Sequence, residues 1–335
     1  MSSGTAEKAV PPRASSLLGR LPIPGLSTLM PYFYVAALTV AILGVEPALI
    51  DGPGAVDVRF SAVFPLAIVA FAQTLNLFTR GIDLSIGGTI SVVTAILAVS
   101  GGVKGPEAYL ELLAMLALGT AIGAVNGLII AYSGLQPFLV TLATWTIWDG
   151  IALAVLPVEG GTVPARATSL VLGSIVGVPK SVLCTAALFV LWAWLRHTRF
   201  VRDLRAMGSD AERARLIGVH SSVRTVQCYS FSGACAAIAG IWIAVQEASG
   251  SPTAGDEYIL TSIAAVVIGG ASIFGGTGSA AASMVGAVAY LMIPDLIAAT
   301  NISSFWSVFL QGFLLIVAVT LSALAIRVRD RKALA

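Results

Sequence analysis

Long apolar runs, each ended by a cluster of charged, proline or glycine residues, fill this chain from residue 30 to residue 326. Ten segments stand out: 30–50, 60–78, 84–100, 108–132, 136–156, 176–195, 226–246, 258–274, 279–299 and 304–326. A bilayer core takes about 20 apolar residues per helix, so each run is a candidate spanning helix. Pro31, Pro65, Pro137 and Pro179 lie near segment starts, where a missing N–H costs little. The pattern predicts an all-α, polytopic membrane protein of about ten transmembrane helices. Residues 1–29 form a tail, 30–326 the transmembrane domain, and 327–335 a second tail.

Composition agrees: charged residues are 11% and hydrophobic residues 57%, against about 25% charged in a soluble domain. The charges are unevenly placed. Arg196, Arg199, Arg202, Arg205, Arg213, Arg215 and Arg224 crowd the single loop 196–224. The positive-inside rule puts that loop in the cytoplasm. Starting inside, six crossings reach the loop and four more return Arg327, Arg329, Arg331 and Lys332 to the same side, so both termini are expected inside. This leaves only Arg59, Lys104, Arg166 and Lys180 outside, while most acids, including Glu46, Asp57, Glu159, Glu247, Asp256, Glu257 and Asp295, fall there. The net charge of +2 gives no support for nucleic-acid binding. Cys184, Cys228 and Cys235 lie in apolar segments and read as small core residues. The first 29 residues lack the apolar core and cleavage site of a signal peptide.

Segments two to five and seven to ten enter the membrane with opposite polarity, which permits an inverted repeat. The third and eighth spans are short and glycine-marked, at Gly81–Gly88 and Gly269–Gly276, and matched interrupted helices point to a translocation pathway. Asp83 and Ser85 stand at the start of the third span. Either this helix start lines the pathway or braces its gate, or it is a cap beside Arg80 at the cytoplasmic interface. Asp149, beside Trp145 and Trp148, either faces a water-filled cavity or is a paired structural residue; the tryptophans could stack on a sugar ring or simply pack. Gln73, Asn76, Asn126, Gln136 and Thr141 could bond a hydroxylated solute or one another. Gly119, Gly123 and Gly127, like Gly278, Ala282 and Gly286, repeat every four residues and read as close-packing faces.

In the arginine loop, Ser209-Asp210-Ala211-Glu212 has capping-box spacing and Gly218 suits a helix end, predicting a helix over 210–217. Ala211, Ala214 and Ile217 would present a small apolar face, either to a cytoplasmic subunit or to the chain's own membrane domain. No G-x-x-x-x-G-K-[ST] run occurs, His197 and His220 have no metal-like spacing, and no catalytic set is visible. No metal, cofactor or catalytic residue is therefore expected. Uphill transport would draw on another subunit or an ion gradient.

Three ordered blocks resemble a known family. These are Ala72-Gln73-Thr74 leading to Gly81-Ile82-Asp83-Leu84-Ser85-Ile86-Gly87; Arg199-Phe200 with Ala206-Met207-Gly208, Ala214-Arg215-Leu216 and Gly218-Val219; and Ala265–Gly270 through Phe274–Ser279. Together they are similar to the permease subunits of bacterial ABC importers for ribose and related monosaccharides. The resemblance implies a multi-pass protein of the bacterial inner membrane with four partners. These are a cytoplasmic ATPase, an extracytoplasmic solute-binding protein, a second copy or related permease, and the lipid bilayer. It implies ATPase coupling through residues 208–218, with Ser209, Ala211, Glu212, Ala214, Arg215, Ile217 and Gly218 as coupling candidates. Gln73, Asn76, Asp83, Ser85, Asn126, Thr141, Trp145 and Asp149 are the pathway candidates. The chain departs from the family at Arg80, where glycine is usual, and at Asp149, where arginine is common. The leading expectation is a permease for a monosaccharide or small polyol, not an enzyme; the alternative is an ion-coupled secondary transporter of a small polar solute.

Overall fold

A computed structural model describes residues 26–45, 54–100, 107–163 and 165–299, with isolated positions at 306, 309, 312, 313, 316 and 320. The tenth segment lies almost entirely outside the described residues, as do both tails beyond Leu26 and Ala299.

The described chain is helical nearly throughout. Its elements are α1 (Leu26–Val45), α2 (Ala55–Phe78), α3 (Ser85–Val99), α4 (Glu107–Ser133), α5 (Pro137–Val155) and α6 (Ala165–Val171). A two-strand hairpin of β1 (Ser174–Ile175) and β2 (Val178–Pro179) follows. Then come α7 (Lys180–Leu195), α8 (Arg199–Ser209), α9 (Ala211–Leu216), α10 (Ser221–Glu247), α11 (Asp256–Ile268) and α12 (Ala280–Ala299). Among these, α2, α4, α5 and α10 are long and apolar enough to cross a membrane, and α7 with α8 forms a pair bent by 74°. α3 is a shorter apolar helix, as is much of α12.

α2 and α10 form the centre. Phe64, Phe71 and Phe78 of α2 pack with Trp192 of α7 and Trp242 of α10. The glycine stripe of α4 lies directly on α10: a Cβ at Gly123 would stand 2.0 Å from the Tyr229 carbonyl oxygen, and one at Gly119 2.5 Å from that of Gly233. Such approach lets two helices pack backbone to backbone. α12 closes the other side, with a Cβ at Gly286 only 2.2 Å from the Ala265 carbonyl oxygen. An ion pair between Arg59 of α2 and Asp295 of α12 joins two residues that the charge distribution assigns to one side.

Three elements differ from expectation. The sixth segment does not start as a helix at 176. Gly173 and Gly177, at φ 98° and 78°, turn the chain through the hairpin, and α7 starts at Lys180. The eighth helix stops at Ile268, because Gly269 and Gly270 break it and residues 269–279 form turns with positive φ at Gly270, Gly275, Gly276 and Gly278.

The third difference is the segment after α10, expected as an outer loop. It turns at Ala248 (φ 54°) and runs back along α3. Gly250 packs on Ala98, the Ser251 carbonyl accepts from Thr94 Oγ1 at 2.7 Å, and Gly255 N donates to Ser91 Oγ at 3.1 Å. α11 therefore begins beside the first turn of α3, where a Cβ on Gly255 would lie 1.8 Å from the Gly87 carbonyl oxygen.

Candidate functional site

The turn joining α2 to α3 is built from the last carbonyls of α2. Asn76 O accepts from Thr79 N and Gly81 N, both at 3.0 Å, and Leu77 O accepts from Arg80 N at 3.0 Å. Arg80 takes a left-handed φ of 63°, and Thr141 Oγ1 of α5 donates to Ile82 O at 3.0 Å. The turn delivers Asp83 into the interior, where it is 1% exposed.

Asp83 is fully engaged there. Its Oδ1 accepts from Ser85 N at 3.1 Å and Ser85 Oγ at 2.6 Å, and its Oδ2 accepts from Ser232 Oγ of α10 at 2.7 Å. Each serine hydroxyl in turn accepts from an amide: Ser85 from Asn126 Nδ2 of α4 at 2.7 Å, Ser232 from Asn76 Nδ2 of α2 at 3.0 Å. Cys228 Sγ of α10 completes the chain by donating to Asn76 Oδ1 at 3.1 Å. Donors thus run inward from α2, α4 and α10 to one carboxylate. Buried polar groups are costly unless paired, and this network pairs nearly all of its members. Asn126 Oδ1 and the nearby Tyr229 hydroxyl are buried without a partner in the described chain.

Four of the pathway candidates, Asn76, Asp83, Ser85 and Asn126, therefore belong to one closed network, and Thr141 buttresses its entry turn. Asp83 bonds the free N–H of Ser85 at the start of α3, as a cap would, while the Arg80 side chain turns the other way, to α8. Ser232 was missed in the sequence, and Cys228 was read there only as a small core residue. Their only signal was their small polar character in a long apolar helix.

Gln73, Trp145 and Asp149 share a different condition, each burying polar atoms without partners. Gln73, on α2, is 0% exposed with both amide atoms unpartnered. On α5, Trp145 Nε1 and Asp149 Oδ1 are likewise buried without partners, although both residues are half-buried overall. Asp149 lies by Ser91 of α3 and within electrostatic reach of Asp256 at the start of α11. α3 presses against this stretch, with Gly88 so close that a Cβ would stand 2.8 Å from Trp148 Cβ. Among the described residues Asp149 is thus an acid beside the Ser91 hydroxyl and another acid, not half of a salt bridge.

The arginine loop folds as two helices. α8, unforeseen as a helix, buries Val201, Leu204 and Gly208. Arg205 donates to Gly278 O at 2.9 Å and stacks over Phe78 at 4.8 Å; burial, and then neighbouring Arg196, hold its pKa below the ordinary arginine value. Arg224 and Asp203 pair at 2.7 Å, tying α8 to the start of α10.

α9 is shorter than the expected 210–217 helix, and its cap is Asp210, not Ser209. Asp210 Oδ1 accepts from Glu212 N at 3.1 Å and Arg213 N at 3.0 Å, while Ser209 Oγ donates back to Ala206 O at 2.9 Å. An aspartate cap satisfies two free N–H groups and favours the positive helix start. The apolar face also differs. Ala214 is buried within the chain and Ala211 is exposed. Leu216 and Ile217 stand out at 79% and 75% exposure. Glu212 and Arg215 are exposed, as is Gly218, which ends the helix at φ 87°. Among the described residues, no group of three or more His, Cys, Asp or Glu side chains could hold a metal ion.

A helical bundle with apolar outer faces, a buried polar network and a docked basic loop defines an all-α, polytopic membrane protein. The chain belongs to the family of permease components of branched-chain amino acid transport systems, whose model matches residues 59–319. It is similar to the ribose import permease protein of Escherichia coli, at 33% identity over 261 residues, covering 76% of this chain and 80% of the relative. A probable ABC transporter permease protein of Sinorhizobium fredii is 33% identical over 260 residues, covering 76% and 77%. The fructose import permease protein of Rhizobium meliloti is 32% identical over 266 residues, covering 76% and 74%. No solved structure matches the chain significantly. The chain is thus a transport subunit and not an enzyme, ATP hydrolysis belonging to a separate subunit.

Proposed function

We propose that this chain is the membrane-spanning permease of an ABC importer, carrying a monosaccharide or similar small polyol across the bacterial inner membrane. It crosses about ten times with both termini inside. A second copy or related permease completes the pore, an extracytoplasmic binding protein delivers the solute, and a cytoplasmic ATPase engages the loop 196–224. The sugar import relatives support the substrate class. The short helices α3 and α11, meeting at Gly87 and Gly255, support an inverted repeat.

The observation that carries the coupling role is the tip of α9. Leu216 and Ile217 are large apolar side chains left uncovered in the middle of a basic loop. Such an exposed pair on a docked, capped helix is what a partner surface takes hold of. Glu212, Arg215, Ala211 and Gly218 flank it, while Ser209 and Ala214 hold it in place.

On the solute side, Trp145 and Asp149 offer an aromatic face and a carboxylate, the pairing that a sugar ring with vicinal hydroxyls can use. Gln73 offers an unsatisfied amide of its own on α2. Asp83, Ser85, Asn76, Asn126 and Thr141 brace the helices around this face. The relatives favour this reading over the ion-coupled alternative, and the saturated Asp83 offers no free site for a coupled proton.

The test is a Leu216→Ser/Ile217→Ser double variant, purified gently from its native membrane beside the wild type. Wild type should bring a stoichiometric ATPase and the variant should lose it while inserting normally. A wild-type chain without ATPase that takes up D-ribose or D-fructose under an ion gradient alone would overturn the proposal.

A further inference from the structure

Where the membrane turn meets the basic loop, a strained arginine grips the joint between α8 and α9. Arg80 Nε donates to Gly208 O at 2.7 Å, and Arg80 Nη2 donates to Ser209 O at 3.1 Å. These carbonyls end α8, where helical acceptors lack intrahelical donors and the dipole is negative. A planar guanidinium reaches two neighbouring carbonyls at once, which an ammonium does not.

The backbone around this clasp leaves no slack. A Cβ on Gly208 would fall 1.6 Å from the Phe78 carbonyl oxygen, and Gly276 N donates to that same oxygen at 3.1 Å. A Cβ on Gly275 would lie 2.4 Å from Arg80 Cγ. The end of α8 therefore cannot slide across the end of α2 without moving Arg80. On its other side, Arg80 sits in a turn whose N–H groups at 79, 80 and 81 all bond the last carbonyls of α2, and three residues later comes Asp83. The φ of 63° is one that side-chain-bearing residues adopt at a cost, so surrounding contacts must hold Arg80 there.

We propose that Arg80 is a positioning residue that ties the α8–α9 joint to the Asp83 network, so that displacement of the loop is passed into the membrane bundle. The proposal deepens the coupling role given to the loop and rests on it. Other contacts hold α8 to the bundle, Arg205 to Gly278 among them. The Arg80 clasp differs from these in starting from the very turn that delivers Asp83.

The test uses the full chain in lipid nanodiscs. Arg80→Gly removes the guanidinium and suits the left-handed backbone, so folding should persist, with melting temperature as the check. Amide hydrogen exchange is read over 205–217 and 81–88. Both segments should exchange at least fivefold faster in Arg80→Gly, with α4 unchanged, and Arg80→Lys should recover part of the protection. Faster exchange at 205–217 alone, or no change at either segment, would overturn the link.

The second arm uses the permease with its co-purified ATPase, with ATP and orthovanadate as the probe. In wild type both segments should change their exchange on trapping; in Arg80→Gly only 205–217 should respond. A variant whose 81–88 segment responds like wild type sinks the proposal. If no ATPase accompanies the wild-type chain, the coupling reading fails, and the first arm still decides whether Arg80 joins loop to network.

Discussion

Two carboxylates inside the same bundle sit in opposite circumstances. Asp83 accepts three hydrogen bonds, two from Ser85 at the start of α3 and one from Ser232 of α10, and is sealed from solvent. Asp149 keeps one oxygen buried and unpartnered, beside a tryptophan N–H in the same condition. A saturated carboxylate has nothing left to offer a ligand, and its loss strands its donors. An unsaturated one can meet a hydroxyl at little cost to the fold. The difference separates residues that hold helices together from residues that can serve what passes between them.

The sharpest way to break this contrast is Asp83→Leu. It leaves Ser85 N and the Ser85 and Ser232 hydroxyls, which hold the two amides, without their common acceptor, and should destabilise the protein by about 3–5 kcal/mol. Thermal unfolding in detergent, or loss of the chain from the membrane fraction, reads the effect. Asp83→Asn keeps the shape but turns one acceptor into a donor facing Ser232, and should cost about 1–2 kcal/mol by the same measurement.

Asp149→Asn should behave in the reverse sense. Its melting temperature should stay near wild type, within about 0.5 kcal/mol of stability, while uptake of radiolabelled D-ribose or D-fructose falls about tenfold, as for one lost charged hydrogen bond. Equal loss of stability at 149 and 83 would erase the distinction. The gentlest probe is Cys228→Ser, which exchanges one small donor for another toward Asn76. It should change stability by less than about 1 kcal/mol, and a larger loss would mean that the site is tuned to sulfur.

Much of the architecture is written in hydropathy. α4 and α5 follow the predicted segments to within a residue or so, because an unbroken apolar run in a bilayer must be helical to satisfy its own backbone. The Asp210 neighbourhood was legible as a helix start, but two adjacent capping residue types, Ser209 and Asp210, left the register open by one. α8 was hidden because its arginines mask the buried positions Val201, Leu204 and Gly208. Asp83 and Asp149 were visible as acids in apolar surroundings. Which one was saturated was not, since the deciding hydroxyl of Ser232 lies 149 residues away. The hairpin before α7 escaped notice because Val176 and Val178 read as the opening of a span.

The return run after α10 places non-helical, turning backbone beside α3, in a bundle whose outer faces are apolar. In a soluble loop, water would bond such peptide groups. Here the Thr94 hydroxyl takes the place of water at Ser251 O, and that of Ser91 does so at Gly255 N. α3 therefore acts as solvent for a neighbouring stretch of chain, and the depth at which α11 begins is set by two hydroxyls belonging to another helix.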